Sequence, residues 1–573
     1  MSIDYQRMSF DYRRCAEQEG SAVPLHPVIV VGAGPVGLAA AIDVAQRGVP
    51  VVLVDDDRTL STGSRAICFS KRSLDIFDRL GCGERMVDKG VRWSVGKVFV
   101  QDEHLYTFDL LPEGGQRRPA FINLQQYYVE GFLVERAQEL ANLEIRWNSK
   151  VTGIRHNREC SGHGIAFVTL TVETPDGPYE LRGRYVVAAD GAKSPLRTLL
   201  GLNSQGRTFK DRFLIADVKM KAPFPSERWF WFDPPFHPHQ SVLLHRQPDN
   251  VWRIDFQLGW DADPVIEKTP ERIIPRVRAL LGPEVEFEME WASVYTFSCV
   301  RMAHFRHGNV LFAGDCAHSV SPFGARGANS GIQDAENLAW KLELVLAGRA
   351  PDSLLDSYAS EREYAADENI RNSSRSTDFI TPKTPVSRVF RDAVLTLARC
   401  HPFARQLVNT GRLSVPAVLR ESPLNTPDRD RFEGQMAPGA VCVDAPVRCG
   451  GQDGWLLSHL GGQFTAMVFC GAQGADAANL GALAVLRDMT LPVRRIALGA
   501  RDIDAYGQAD AAAQDGVTWL DDCDGTAAQR YDASPGTVYL IRPDQHVCAR
   551  WRHASAADLE AAFKRALGVR GTA

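Results

Sequence analysis

The sequence is poor in the features that mark metal, dithiol and membrane proteins. Its twelve cysteines (15, 68, 82, 160, 299, 316, 400, 442, 449, 470, 523 and 548) include no CxxC pair and no metal-ligand spacing. No metal site is therefore expected, and the thiols read mostly as small core residues of a chain kept in a reducing cytoplasm. No apolar run reaches about 18 residues, which argues against a spanning helix and a membrane partner. Residues 1–25 are polar, mixed in charge and without the apolar stretch of a signal peptide; they read as an extension, either a mobile arm or a strap over a neighbouring surface. Basic surplus is missing too: 65 Lys and Arg against 70 Asp and Glu leave a net charge of -5, so no nucleic-acid surface is expected. With 573 residues, two to four domains are the natural division.

What is present begins at Val28 to Asp55, VIVVGAGPVGLAAAIDVAQRGVPVVLVD. An apolar run enters the turn Gly32-Ala33-Gly34-Pro35-Val36-Gly37, an Ala-rich helix ends near Gly48, and a second apolar run, Val51 to Val54, closes on Asp55. Strand, glycine turn, helix and strand suit a dinucleotide. Gly32 makes the turn, Gly34 admits the pyrophosphate, and Gly37 lets helix and strand pack closely. The helix N-terminus offers free N–H groups and a positive dipole end to the phosphates, and Asp55 is placed to accept from a ribose hydroxyl.

A polar loop follows with Asp56, Arg65 and Ala66, then a helix whose apolar face includes Leu74, Ile76, Phe77 and Leu80. Arg65 is either a solvated loop arginine or a clamp on the cofactor phosphates. Short strands are expected at Lys97 to Val100 and Tyr106 to Asp109, and an amphipathic helix at Asn123 to Leu140. Gln126 at its start is either exposed or reaches a ligand. Ile145 to Arg155 and Ala166 to Thr174 alternate as strands, with a hairpin turn at Pro175-Asp176-Gly177. Tyr179 to Ala189 then ends at Asp190-Gly191.

Residues 209–301 have the texture of antiparallel sheet and gather aromatics, among them Trp229, Phe230, Trp231, Phe232, Phe236, Trp252, Phe256, Trp260, Trp291, Tyr295 and Phe297. In Trp252 to Leu258, alternation puts Trp252, Ile254, Phe256 and Leu258 on one face and Arg253, Asp255 and Gln257 on the other. Such a sheet buries its aromatic face as core or offers it to a planar ligand. Next, Val310 to Ala313 reads as a buried strand ending in Gly314-Asp315. A loop with Pro322, Gly324 and Gly327 follows, and then a long helix from about Asn329 to Leu346. Its N-terminus at Ala328-Asn329 can place positive potential against an anion.

Together GAGPVG with Asp55, AADGAKSPLR, and AGDCAHSVSPFGARGANSGIQDAENLAWKL resemble the FAD-dependent class A aromatic hydroxylases, the group of para-hydroxybenzoate, phenol and 3-(3-hydroxyphenyl)propionate hydroxylases. The resemblance runs from about residue 26 to 375. It implies an α/β fold in which a Rossmann-like FAD-binding domain (26–205 and 302–375) is interleaved with an antiparallel β-sheet substrate domain (206–301 with part of 91–125). A helical linker (376–434) and a thioredoxin-like domain without CxxC (435–573) follow, the latter resembling the phenol hydroxylase branch at Arg530 to Asp544. Where a redox thioredoxin carries its cysteine pair, this chain has Cys470-Gly471-Ala472-Gln473, so the domain reads as structural, and a homodimer is expected.

The resemblance carries cofactor contacts onto Gly32, Gly34, Pro35, Val36, Gly37, Asp55, Asp56, Arg65, Ala66, Gln126, Asp190, Gly191, Gly314, Asp315, Pro322, Gly327, Ala328 and Asn329. Departures are Gly324-Ala325-Arg326 where the family often has Gly-Gln, Cys316 for a usual alanine, and Ile67 where phenol hydroxylase presents a carboxylate. The implied chemistry uses FAD, with NADH or NADPH and O2 as co-substrates. Through a flavin C4a-hydroperoxide it hydroxylates a monocyclic phenol or phenolic acid ortho or para to its hydroxyl. A phenol titrates near ~10, so a base or cation must help to deprotonate it. The candidates are Tyr295, His245, Arg253 and Asp255, joined by Pro322 beside the ring and by Arg326, which either attracts a substrate carboxylate or pairs within its loop. The alternatives are another FAD-dependent oxidoreductase of this fold, a reductase or a halogenase (although Trp229 to Asp233 is not WxWxIP), or a flavin-binding sensor.

Overall fold

Val28, Ile29 and Val30 are completely buried, as a continuous apolar run must be when both faces of a parallel sheet are covered. Their strand, Leu25–Val31, pairs in parallel with Val51–Val54 and Tyr179–Ala188. Leu143–Arg146 extends the sheet on one side and Val310–Phe312 on the other. The helix Pro35–Gln46 follows the glycine turn. The computed structural model describes residues 4–20, 23–61, 63, 65–157, 167–222, 224–408, 413–471, 483–487, 489, 491–499 and 516–569. These fall into two compact units, one of residues 1–112, 119–335 and 366–415, the other of 113–118, 336–365 and 416–573.

The first unit holds a second, eight-stranded sheet. Its order is His318–Ser319, Phe287–Met302, Ser204–Met220, Val251–Leu258, Ser241–Arg246, Arg228–Phe232, Val95–Val100 and Glu103–Asp109. Trp252, Ile254 and Phe256 pack with Ile273 and Val277 of the helix Pro270–Leu281 on one face. On the other face Phe213, Phe230, Phe232 and Phe297 pack with Phe379, Val394, Leu395 and Val408. The alternation expected in Trp252 to Leu258 is therefore present, but its polar face is also inside: Arg253 is 2% exposed and Asp255 8%. The covering side chains Phe379, Val394, Leu395 and Val408 come from more than a hundred residues further along the chain, within residues 366–415 of this same unit.

Several local expectations are corrected. The helix expected at Asn123 to Leu140 is Gln126–Gln138. Asn123 ends the strand Phe121–Asn123 instead, where its amide accepts from Trp93 Nε1 and donates to the Arg246 carbonyl. The strand expected at Ile145 to Arg155 is two, Leu143–Arg146 and Lys150–Asn157, because Asn148 takes φ 56° and turns the chain. The long helix starts at Gly327 rather than Asn329.

The N-terminal extension is a strap. Tyr5 sets its ring edge-on to Phe132, centroids 5.6 Å apart, and Phe10 stacks on Trp147 at 4.2 Å. Buried Glu17 accepts from His26 Nε2 at 2.8 Å and Arg146 Nη2 at 3.1 Å.

In the second unit a seven-stranded sheet has the order Gln452–Trp455, Pro446–Cys449, Val517–Asp521, Val493–Gly499, Phe464–Phe469, Val538–Ile541 and Val547–Trp551. Phe464–Phe469 is parallel to Val493–Gly499 and antiparallel to Val538–Ile541. A fully buried ionic group sits in this unit: Glu361 accepts from Lys341 Nζ and Arg542, and Arg542 also holds Asp544. No helix among the described residues is long and apolar enough to cross a membrane.

Candidate active site

The glycine turn is built by close approach. Gly32 has φ +106°, and a Cβ there would lie 2.4 Å from the Ala189 carbonyl oxygen. The start of the Asp190-Gly191 segment is thus pressed against the turn, which only glycine permits. A Cβ at Gly37 would lie 1.8 Å from the Gly32 oxygen, whereas one at Gly34 would meet no atom within 4 Å. Tight packing behind the turn with open space at Gly34 is the form a pyrophosphate cradle requires.

Val36 ties this turn to residues nearly three hundred positions away. A Cβ on Gly331 would lie 2.5 Å from Val36 Cγ2 and 3.1 Å from Gly314 Cα, and Gly314 itself has φ +70°. Between Val310 and His318 every residue is buried except Asp315, whose side chain stands exposed. An uncovered carboxylate at the end of a buried strand, beside the start of the helix Gly327–Leu346, fits the hydroxyls of a bound ribityl chain. The open cradle and this carboxylate accommodate the two ends of an FAD. Gly327 and Ala328 open the helix there.

Other expected contacts are committed within the protein. Asp55 Oδ2 accepts from the Ala33 N–H at 2.5 Å and Oδ1 from the Asp57 N–H at 2.9 Å; burial pushes its carboxyl up to about 6. Asp56 is exposed at the strand end. Gln126 accepts from the Ala66 N–H at 3.2 Å and donates to Ser61 and Glu130, so it holds the loop of the exposed Arg65 in place. Asp190 Oδ2 accepts from the Leu196 N–H at 2.9 Å, and burial raises its pKa. Asn329 is 1% exposed and uses its whole amide: Oδ1 accepts from Ser70 and Ser73, while Nδ2 donates to the Cys68 and Ala325 carbonyls. Its side chain therefore clasps the loops, leaving the backbone to meet a ligand. Pro322 is exposed. Arg326 is buried and donates to Asn369 Oδ1 at 3.0 Å.

The cofactor loop and the second sheet meet. Phe323 packs edge-on against Phe213 and Phe297, centroids 4.8 and 5.5 Å apart, and Arg253 Nη1 donates to the Arg65 carbonyl at 3.2 Å. Arg253 also makes a bidentate pair with Asp217, Nη2 to Oδ2 at 2.7 Å and Nε to Oδ1 at 2.8 Å. That engagement makes it a fixed source of positive potential rather than a proton acceptor. Burial pushes the Asp255 carboxyl up to about 6. Burial, with Arg228 and Arg253 nearby, holds the His245 pKa well below 6.5, so the imidazole is neutral; its Nε2 lies 3.7 Å from Asp255 Oδ2. Burial and Asp255 push the Tyr295 phenol well up, and it stays protonated. A cavity in the same unit is lined by Phe108, Arg228, Phe230, Phe323, Gly324, Ser376, Ile380, Val408 and Leu413.

Three features were missed. Buried His318 donates from Nε2 to Asp334 Oδ2 at 2.6 Å, and the same oxygen accepts from the Gly314 N–H at 2.9 Å, which fixes the strand end bearing Asp315. Glu130 anchors the Ser61–Gln126 contact. Arg228 opens the Arg228–Phe232 run, where the aromatic neighbours drew attention away from it. Cys316 donates to the Ala188 carbonyl at 2.9 Å and is fully buried, so it packs rather than reacts.

Comparison with known proteins gives a consistent picture. Residues 26–373 match the family model described as FAD binding domain. A probable NADH-specific resorcinol 4-hydroxylase of Rhodococcus jostii (strain RHA1) is 31% identical over 61% of this chain and 64% of its own length. The 3-(3-hydroxy-phenyl)propionate/3-hydroxycinnamic acid hydroxylase of Mycobacterium avium (strain 104) is 27% identical over 94% of this chain and 92% of its own. Among solved structures, the flavin-dependent monooxygenase PieE shares the fold at TM-score 0.76 and 22% identity, covering 96% of this chain and 100% of that one. The p-nitrophenol 4-monooxygenase PnpA of Pseudomonas putida DLL-E4 has TM-score 0.60 and 26% identity, covering 69% of this chain and 99% of its own.

Proposed function

The chain belongs to the FAD-binding domain family of the class A flavin hydroxylases, and from that premise we propose that it hydroxylates a monocyclic phenol or phenolic acid ortho or para to its hydroxyl. The observation that carries the reading is the meeting of the cofactor loop with a buried polar sheet face, through Phe323 on Phe213 and Arg253 on the Arg65 carbonyl. FAD, held by the Gly32–Gly37 turn, Asp315 and the Gly327–Asn329 backbone, would supply the oxygen chemistry, with NADH or NADPH as reductant and O2 as the oxygen source, while Asp55 braces the turn through the Ala33 N–H. Asp190, Gly191 and Gln126 shape that cradle.

The chain's own part is to deprotonate and orient the ring. Asp255, with a pKa of about 6, is ionised at neutral pH and takes the phenol proton. Neutral His245 and the Tyr295 hydroxyl orient the ring oxygen, and Arg253 favours the phenolate by its charge. Phe323 and the buried aromatic face keep water away. Pro322 and Arg326 shape the loop beside the ring, Arg326 by fixing it to Asn369.

The second unit is best read as thioredoxin-like and structural. Its support is the order Val493–Gly499, Phe464–Phe469, Val538–Ile541, Val547–Trp551 with the first pair parallel. Cys470 is a single buried thiol, pushed up to about 12 by burial, and unsuited to exchange; Ala472 and Gln473 lie outside the described residues. A cytoplasmic homodimer completes the proposal. Phenols should stimulate both NAD(P)H oxidation and oxygen uptake by the yellow protein; a reductase or a sensor would show no oxygenated product.

A further inference from the structure

Two arginines on and around the polar face of the second sheet are matched to acceptors, and a third is not. Arg253 has Asp217, and Arg326 has Asn369. Arg228, 8% exposed, lines the cavity beside Phe108, Phe230 and Phe323. No hydrogen bond or ion pair joins its guanidinium to any described residue. The groups that face it, Asp255, Cys68, Tyr295 and His245, act on it only through space. A guanidinium stays charged even when buried, and burying it without an acceptor is costly. Its planar fork of N–H donors matches a planar oxyanion in two parallel bonds, and the flanking rings match an aromatic body.

We propose that Arg228 is the anchor for an anionic oxygen of the aromatic substrate. The inference rests on the hydroxylase reading and narrows its substrate class to phenols that present an anion to the cavity. That anion is either a carboxylate carried on the ring or the ring phenolate itself. The first source fixes which carbon faces the cofactor by gripping the far end of the substrate. The second makes Arg228 the partner of the oxygen that Asp255 deprotonates.

The test uses FAD-loaded enzyme, wild type and Arg228→Met, with 3-(3-hydroxyphenyl)propionate, its primary amide and resorcinol. Affinity is read from the flavin absorbance change, and the pKa of the bound phenol from its ultraviolet spectrum. If the carboxylate is the source, Arg228→Met weakens the acid by about tenfold or more and leaves the amide and resorcinol within about twofold. If the phenolate is the source, acid and amide weaken alike, and the pKa of the bound phenol rises by about one unit or more. Unchanged affinities with an unchanged bound-phenol pKa overturn the proposal. So does wild-type enzyme that binds none of the three. Should Arg228→Met not retain FAD, the wild type alone decides. Preference for acid over amide by about tenfold, or a bound-phenol pKa at least about one unit below that of the free phenol, supports the anchor; neither effect overturns it. Phenol-stimulated NAD(P)H oxidation by wild type is recorded separately. Its absence, with anion binding intact, strikes the hydroxylase reading and leaves the Arg228 assignment standing.

Discussion

A carboxyl whose pKa is raised to about 6 by burial, as that of Asp255 is, is protonated below that pH and ionised above it. If it takes the phenol proton, kcat/KM for hydroxylation falls as pH drops through about 6. Asp255→Asn should remove that acid limb and slow hydroxylation by roughly 10²- to 10⁴-fold, while flavin reduction proceeds. Rapid-mixing measurements of both steps across pH check this, and an unchanged acid limb in the variant would assign the proton to another group. The candidate residues themselves were legible as types on a strand. Their roles were not, because these depend on partners that alternation does not reveal. Arg253 is committed to Asp217, two strands of one sheet but 36 positions apart, and His318 to Asp334. Arg228 was hidden for the opposite reason, since what distinguishes it is the lack of any such partner among the described residues.

At the scale of elements, the first strand, turn, helix and second strand were read correctly. The glycine turn, its helix and the strands Val28 to Val31 and Val51 to Val54 follow from apolar runs and glycine spacing. Elements fixed by distant contacts were not. A half-polar strand such as Val251–Leu258 looks solvent-facing until residues 366–415 of the same unit cover it. The N-terminal strap is of this kind. Its Tyr5 ring lies where a side chain on Gly131 would stand, 2.2 Å from a Cβ there, so the helix Gln126–Gln138 carries glycine at the contact. Gly131→Val should unseat the strap, lower stability by about 1–3 kcal/mol and open residues 7–14 to proteolysis. Thermal unfolding with limited trypsin digestion measures both effects, and wild-type resistance would show that the strap does not depend on this contact.

The described residues form two compact units. In the second, Glu361, Lys341, Arg542 and Asp544 are all completely buried and bonded together. Lys341 and Glu361 are far in sequence from Arg542 and Asp544, so the group closes this unit over about 200 residues of chain. Arg542→Ala takes the guanidinium away from the buried carboxylates of Glu361 and Asp544 and should cost about 3–5 kcal/mol. Calorimetry should show the loss in the unfolding of the second unit, and an unaltered profile would mean that the ionic group is not what closes it. The presence of a nucleotide sheet was legible from the glycine turn and its flanking apolar runs. What covers the second sheet was not, because the apolar side chains of residues 376–408 do not show which surface they meet.

The central claim, that the cofactor cradle and the polar sheet face together insert oxygen into a phenol, is tested most directly with isotopic oxygen. The yellow enzyme is supplied with NADH or NADPH, a phenolic acid and oxygen-18 gas, and the product is weighed by mass spectrometry. The account predicts a dihydroxylated ring in which the new hydroxyl carries the heavy isotope, formed in step with NAD(P)H consumed. NAD(P)H oxidation without labelled aromatic product, across a panel of phenols, would contradict it.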